Sequence, residues 1–119
     1  MLRYVMLFVM AIWVLCLPMT WAHAATYYVA TNGSDTNNSC TAAQTITTPK
    51  RNIAGTNGGV ACLAAGDTLY IRGGTYTEAL DSNAQTIPSG TSTSNVVTIA
   101  AYPAPTTPVE TVIINGCAG

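Results

Sequence analysis

Gly66-Asp67-Thr68-Leu69-Tyr70-Ile71-Arg72-Gly73-Gly74-Thr75-Tyr76-Thr77-Glu78 decides how this chain is read. Thr68 to Arg72 is β-branched and aromatic, and it lies between two glycine turns, so it reads as one short strand. Leu69 and Ile71 fall on one face of that strand, Tyr70 and Arg72 on the other. Gly66-Asp67 is the turn into the strand and Gly73-Gly74 the turn out of it. Thr75-Tyr76-Thr77 begins a second short strand at once. Strands this short, separated by turns this tight, suit a chain that bends repeatedly.

Working outward, the same grammar recurs. Thr26-Tyr27-Tyr28-Val29-Ala30 is a strand, followed by the polar loop Thr31 to Ser39. Pro49 to Ala65 is the helical candidate. Thr48 is placed to cap it and Pro49 sits at its first position. Ile53, Ala54, Val60, Ala61, Leu63 and Ala64 supply an apolar side. Gly55-Thr56-Asn57-Gly58-Gly59 interrupts it, which predicts two short helical pieces, the second stopped by Gly66. After the turn-rich stretch 81–94, strands are expected over Asn95–Tyr102 and Val109–Asn115, with Pro103-Ala104-Pro105 between them. An immunoglobulin-like sandwich needs about seven strands with regular turns, and fewer are read here. Stacked coils with a helical cover over the open end fit the order of elements better.

The first 24 residues are an address. Arg3 gives a charged start, Val5 to Leu17 is apolar, and Ala22-His23-Ala24 closes on Ala-x-Ala. The apolar run falls short of the about 20 residues that a spanning helix needs. A secretory signal over 1–24, cleaved after Ala24, is therefore expected. Cys16 follows Val14-Leu15 rather than small residues, against a lipid-attachment site. The expected location is secreted, periplasmic or extracellular, with no membrane association after cleavage.

Residues 25–119 hold one small domain at most. They lack His, Trp, Phe and Met altogether. Without His there is no Ser-His-Asp triad, no Cys-His pair and no His-ligated zinc within these residues. Lys50, Arg51 and Arg72 stand against Asp35, Asp67, Glu78, Asp81 and Glu110, a balance that argues against nucleic acid as a partner. Stacking on sugar rings would fall to Tyr27, Tyr28, Tyr70, Tyr76 and Tyr102. Cys40, Cys62 and Cys117 remain after cleavage, and an exported chain meets an oxidising compartment. A Cys40–Cys62 disulfide is the expected pairing, with two reduced thiols the rival reading. Cys117 is then left over, which points to a partner beyond Gly119.

Three segments carry a family resemblance. They are Tyr27-Tyr28-Val29-Ala30-Thr31-Asn32-Gly33-Ser34-Asp35; Thr48 to Ala54 with Cys62 to Glu78; and Ile87-Pro88-Ser89-Gly90-Thr91 with Val97 to Pro103. The chain resembles the N-terminal region of the pectate-lyase-like superfamily of secreted right-handed parallel β-helix proteins. The Gly-Asp-Thr-x-Tyr-x-x-x-Gly-Thr-Tyr run is its most specific element, and the Gly55–Gly59 insertion departs from the usual continuous cap helix. The resemblance implies an all-β fold: a cap with a short helical segment plus the first one or two coils of a longer solenoid, over residues 25–119. It implies an N-terminal export and capping role in a carbohydrate-active protein, a polysaccharide lyase or glycoside hydrolase, acting on polysaccharide in coils beyond Gly119. The alternative is a non-catalytic, adhesin-like surface protein. A small domain complete as given is disfavoured, because stacked repeats need about three or more units. Val112-Ile113-Ile114 would otherwise be an apolar edge.

No catalytic residue is assigned within the chain. Asp67 reads as a turn residue accepting backbone N–H groups rather than as an acid. Gly66, Asp67, Gly73 and Gly74 are structural positions. Arg72 and Glu78 read as a solvated pair. Glu78 and Asp81, close in sequence, sit in a loop rather than across a bond to be hydrolysed. Asn32, Asp35 and Asn37 offer oxygens to a hard cation, but match no full calcium loop. No cofactor is evident, and Ca²⁺ remains an expectation for a longer protein. Asn32-Gly33-Ser34 and Asn37-Asn38-Ser39 match the N-glycosylation pattern.

Overall fold

The computed structural model describes residues 23–80, 86–103 and 109–116. Residues 1–22 of the expected signal, Asp81 and Cys117 lie outside the described residues. The described chain is mostly strand and coil. Five short strands form: β1 (Thr26–Val29), β2 (Thr68–Ile71), β3 (Gly74–Tyr76), β4 (Thr98–Ala101) and β5 (Val112–Ile114). Among the described residues helix is limited to two single 3-10 turns, Ala42–Gln44 and Val60–Cys62.

All pairing between strands is parallel. β1, β2 and β4 form one sheet in that order, with Thr26 beside Thr68 and Thr68 beside Thr98. β3 and β5 form a second, with Gly74 beside Val112. The chain turns sharply at Gly73 between β2 and β3, and it repeats the same pair of sheet positions as β4 and β5. Alternation decides which side chains enter the core. Tyr27, Val29, Leu69 and Ile71 point inward and are buried, while Tyr28 and Tyr70 stay half exposed on the other face. Tyr76 enters the same core from β3.

The expected helical region corrects in an instructive way. Its first half is not helical. Lys50 makes an isolated parallel bridge with Val29, its N–H donating to Tyr28 O at 2.9 Å, and Ala30 N–H donates back to Lys50 O at 2.9 Å. Pro49–Lys50 therefore covers the outer edge of β1 in extended form. Beyond it, Gly59 N–H donates to Asn52 O and Val60 N–H to Ile53 O, both at 2.9 Å, so the glycine-rich segment doubles back on itself. A Cβ on Gly59 would collide with Val29 Cγ2 and with Leu69 Cδ1. The chain crosses the core at van der Waals range, and only glycine fits there. Only Val60–Cys62 turns helically. The residues expected to cover the core do so regardless of conformation: Ile53, Val60 and Leu63 are all buried in it. The Ala42–Gln44 turn was not anticipated. It buries Ala43 and sits beside the Cys40–Cys62 disulfide.

The later strands are shorter than their apolar runs. Asn95 is drawn into a turn, its Nδ2 donating to Thr91 Oγ1 at 2.6 Å, so β4 begins only at Thr98. Glu110 is held to Arg72 and Gly73, and β5 begins after it.

Candidate functional site: a tyrosine face and four anchored carboxylates

Five tyrosines were candidates for contact with sugars, and the fold divides them. Tyr27 and Tyr76 are core residues. Tyr76 donates its hydroxyl to Arg72 O at 2.8 Å. Burial, then the nearby Glu78 and Glu110 charges, pushes its phenol above the ordinary value. Tyr28, Tyr70 and Tyr102 converge on the outer face of the β1–β2–β4 sheet. The ring centroids of Tyr28 and Tyr70 are 6.1 Å apart, those of Tyr28 and Tyr102 5.9 Å, and those of Tyr70 and Tyr102 5.7 Å. Strand register explains the grouping. Tyr28 lies opposite Tyr70. Tyr102 follows β4 and keeps the ladder, its N–H donating to Ile71 O at 2.8 Å, so it stands opposite Arg72. Arg72 lies over the Tyr102 ring, 5.2 Å from guanidinium carbon to centroid. Three rings and one cation thus share a single half-exposed face.

The carboxylates are otherwise engaged. Asp35 Oδ1 accepts Arg51 N–H at 2.7 Å and Asn52 N–H at 3.2 Å. Asp67 accepts Ala64 N–H and Ala25 N–H, each at 2.8 Å. Glu78 accepts Ile53 N–H at 3.0 Å and Ala54 N–H at 2.6 Å. Glu110 accepts Gly73 N–H at 2.6 Å and pairs with Arg72, whose Nη2 is 2.8 Å from Oε1. Each acid closes a loop that has no ladder partner, which is where a backbone N–H needs an acceptor. The expected Arg72–Glu78 pair does not form. Arg72 takes Glu110 instead, because Gly73 brings that carboxylate to the β2–β3 corner while Glu78 is turned under the Ile53 loop. The Glu110 hydrogen bond raises the Arg72 guanidinium above its ordinary value. Arg72, and then the Gly73 N–H, hold Glu110 below its own.

The remaining sequence candidates are placed as follows. Gly66 turns with φ of +91°, a conformation that favours glycine, and Asp67 follows it into β2. Gly73 and Gly74 form the β2–β3 corner. Asn32 and Asn37 are exposed in the loop after β1, and the Asn37 N–H donates to Ser34 Oγ at 3.1 Å. Asp35, the charged member of that trio, spends Oδ1 on backbone. No group of three or more His, Cys, Asp or Glu side chains that could hold a metal gathers among the described residues. Cys40 and Cys62 are bonded, with Cα atoms 5.4 Å apart. That fits an oxidising compartment. No helix among the described residues is long and apolar enough to cross a membrane. A polar hollow of about 260 Å³ opens beside β3, lined by Thr31, Arg51, Asn52, Thr75, Tyr76, Thr77 and Glu78.

Sequence reasoning read Asp67 as a backbone acceptor but missed that the other three acids share this role, because their N–H partners are distant in sequence. It named all three tyrosines of the outer face but could not separate them from Tyr27 and Tyr76, since that depends on register between strands. Comparison with protein-family models finds none that matches the chain, and comparisons with curated proteins and with solved structures likewise return no match.

Proposed function

We propose that this chain is the exported, capped beginning of a right-handed parallel β-helix in a secreted carbohydrate-active protein. Its polysaccharide-cleaving site, of lyase or glycoside hydrolase type, would lie in coils beyond Gly119. The observation that carries this reading is the repeat of position: β4 lies parallel on β2, and β5 lies parallel on β3. A chain that revisits the same two sheets in the same order follows the path that stacked coils would take, which supports this reading. Pro49–Lys50 over the β1 edge supports a capped start. At the other end, among the described residues, β4 and β5 are each an outermost strand of their sheet, with Ile114 exposed beside buried Tyr76, as at an uncovered coil.

One observation favours the second reading, a non-catalytic adhesin-like scaffold. The four described carboxylates are committed to backbone and to Arg72, while the tyrosine face offers flat, amphipathic surface beside the Arg72 guanidinium. A single experiment separates the readings. The protein, including whatever its gene encodes past Gly119, is run in native gels cast with soluble acidic and neutral polysaccharides, and the same polymers are assayed for chain cleavage. Retardation with new unsaturated ends supports a lyase; new reducing ends alone support a hydrolase. Retardation without cleavage, lost when Tyr28, Tyr70 and Tyr102 are changed to Ala, supports the scaffold. No retardation and no cleavage with any polymer sinks the carbohydrate reading.

A further inference from the structure

Asp67 differs from the other three anchored acids in what it holds. Its Oδ2 accepts the N–H of Ala64, three residues back in the same turn. Its Oδ1 accepts the nitrogen of Ala25 at 2.8 Å, across 42 residues of sequence. The side chain sits in a residue only 5% exposed. Among the described residues no Lys, Arg or His side chain forms a salt bridge with it. A buried carboxylate served only by neutral donors lacks the counter-charge that burial favours.

Ala25 is also the first residue of the fold. Its carbonyl accepts Thr68 N–H at 2.9 Å, which opens the β1–β2 ladder, and it packs against the core. His23 and Ala24, immediately before it, are exposed. They belong to the Ala22-His23-Ala24 segment at which cleavage is expected. The residue that becomes the new terminus is thus the one whose nitrogen already touches Asp67.

We propose that Asp67 is the receptor for the processed N-terminus. This rests on reading residues 1–24 as a cleaved export signal. A signal endopeptidase hydrolyses the Ala24–Ala25 peptide bond with one water. Ala24 leaves with the new carboxylate, and Ala25 keeps an amine that takes up a proton below about pH 8. The neutral amide donor at Asp67 Oδ1 becomes an ammonium, and a neutral hydrogen bond becomes a charge-assisted one, about twice as strong. Because Asp67 O also accepts Thr98 N–H at 2.9 Å, the terminus, the Gly66 turn and the start of β4 are locked through one residue. Removal of the signal completes the fold.

The test exports the full chain from one host in two forms: unaltered, and with a serine inserted between Ala24 and Ala25. The insertion moves the ammonium one residue away and returns an amide to Ala25. Intact mass first fixes where each chain begins. A product that retains residues 1–24, or begins elsewhere, overturns the signal reading and the proposal with it. If the unaltered chain begins at Ala25, its thermal midpoint is expected to exceed that of the serine-extended chain by about 4–8 °C. In an Asp67→Asn background this gap is expected to close. Equal midpoints with Asp67 intact, or a gap that survives D67N, overturns the ion pair alone. Should D67N fail to fold, reductive methylation near neutral pH, read by peptide mass, replaces it. An opposite charge keeps the Ala25 amine protonated, so it should react about tenfold more slowly than the extended terminus. Equal rates overturn the proposal.

Discussion

Val29 and Leu69, in β1 and β2, are 0% exposed, whereas Ile113 and Ile114, in β5, are 52% and 43% exposed. All four are apolar residues in short parallel strands, so side-chain type does not explain the difference; Ile113 lies beside exposed Thr75 on the outward face, but Ile114 lies beside buried Tyr76 and is exposed all the same. The region of β1 and β2 is enclosed: Pro49–Lys50 lies on its edge, the Ile53–Val60 segment lies over its core, and a disulfide ties Cys40 to Cys62. The region of β4 and β5 has one neighbour per strand among the described residues. Apolar area stabilises only when something removes it from water, and among the described residues such a cover lies over β1 and β2 and not over Ile114.

The largest test of this contrast compares two truncations. Leu69→Ala should lower unfolding stability by about 2–5 kcal/mol, as cavities in full cores do. Ile114→Ala, beside buried Tyr76 but itself exposed, should stay within about 0.5 kcal/mol. Denaturant titration reads both, and equal losses would erase the distinction between an enclosed and an open region. Next is the disulfide, whose partners lie 22 residues apart. A Cys40→Ser, Cys62→Ser chain should lose about 2–4 kcal/mol. Hydrogen exchange should rise first around Ala43 and Val60, not in β5; a rise confined to β5 would place the staple's effect in the wrong region. Gly59→Ala tests the close crossing over the core. Its methyl would press on Val29 and Leu69, at a cost of about 1–3 kcal/mol by thermal unfolding, and a neutral result would mean that the crossing has slack.

The smallest effect belongs to the clasp between the two regions. Arg72 and Glu110 join the β2–β3 corner to the approach to β5, and such a partly exposed pair contributes about 0–1 kcal/mol. Glu110 is held below its ordinary value of 4.5 by the Arg72 hydrogen bond and the Gly73 N–H. A depressed carboxylate stabilises the fold fully above its unfolded value and ceases to as pH falls through the folded one. Stability should therefore decline from about pH 4.5 downward, and Glu110→Gln should flatten that part of the profile. An unchanged acid limb in E110Q would remove the clasp from the account.

Asp35, Asp67 and Glu78 also teach why parts of this fold were hidden. Asp67 was legible as a turn acceptor, because Gly66 beside it marks a turn and Ala64 is near in sequence. That the same carboxylate reaches Ala25 was not legible, nor that Glu78 reaches Ile53 and Ala54. Those pairings exist only after loops have been laid against strands. The helical expectation over Pro49–Ala65 failed for a related reason. Its capping residues and apolar spacing are local signals, but Lys50 found a ladder partner in β1, Gly58 lets the loop fold tightly against Ala54, and Gly59 lets the backbone come closer to the core than a helix could.

By itself the sequence determined the alternation of Leu69 and Ile71 against Tyr70 and Arg72, the turns at Gly66 and Gly73-Gly74 and the all-β character, and it made Cys40–Cys62 the expected pair. These follow from backbone geometry and residue chemistry, which act over a few residues or on the chain as a whole. Only the tertiary structure decided which tyrosines share a face, where each carboxylate anchors, and which apolar strands are buried. Those depend on parallel register between strands some thirty or more residues apart, as Thr68 beside Thr98 and Gly74 beside Val112 record, and no local pattern specifies a register across that distance.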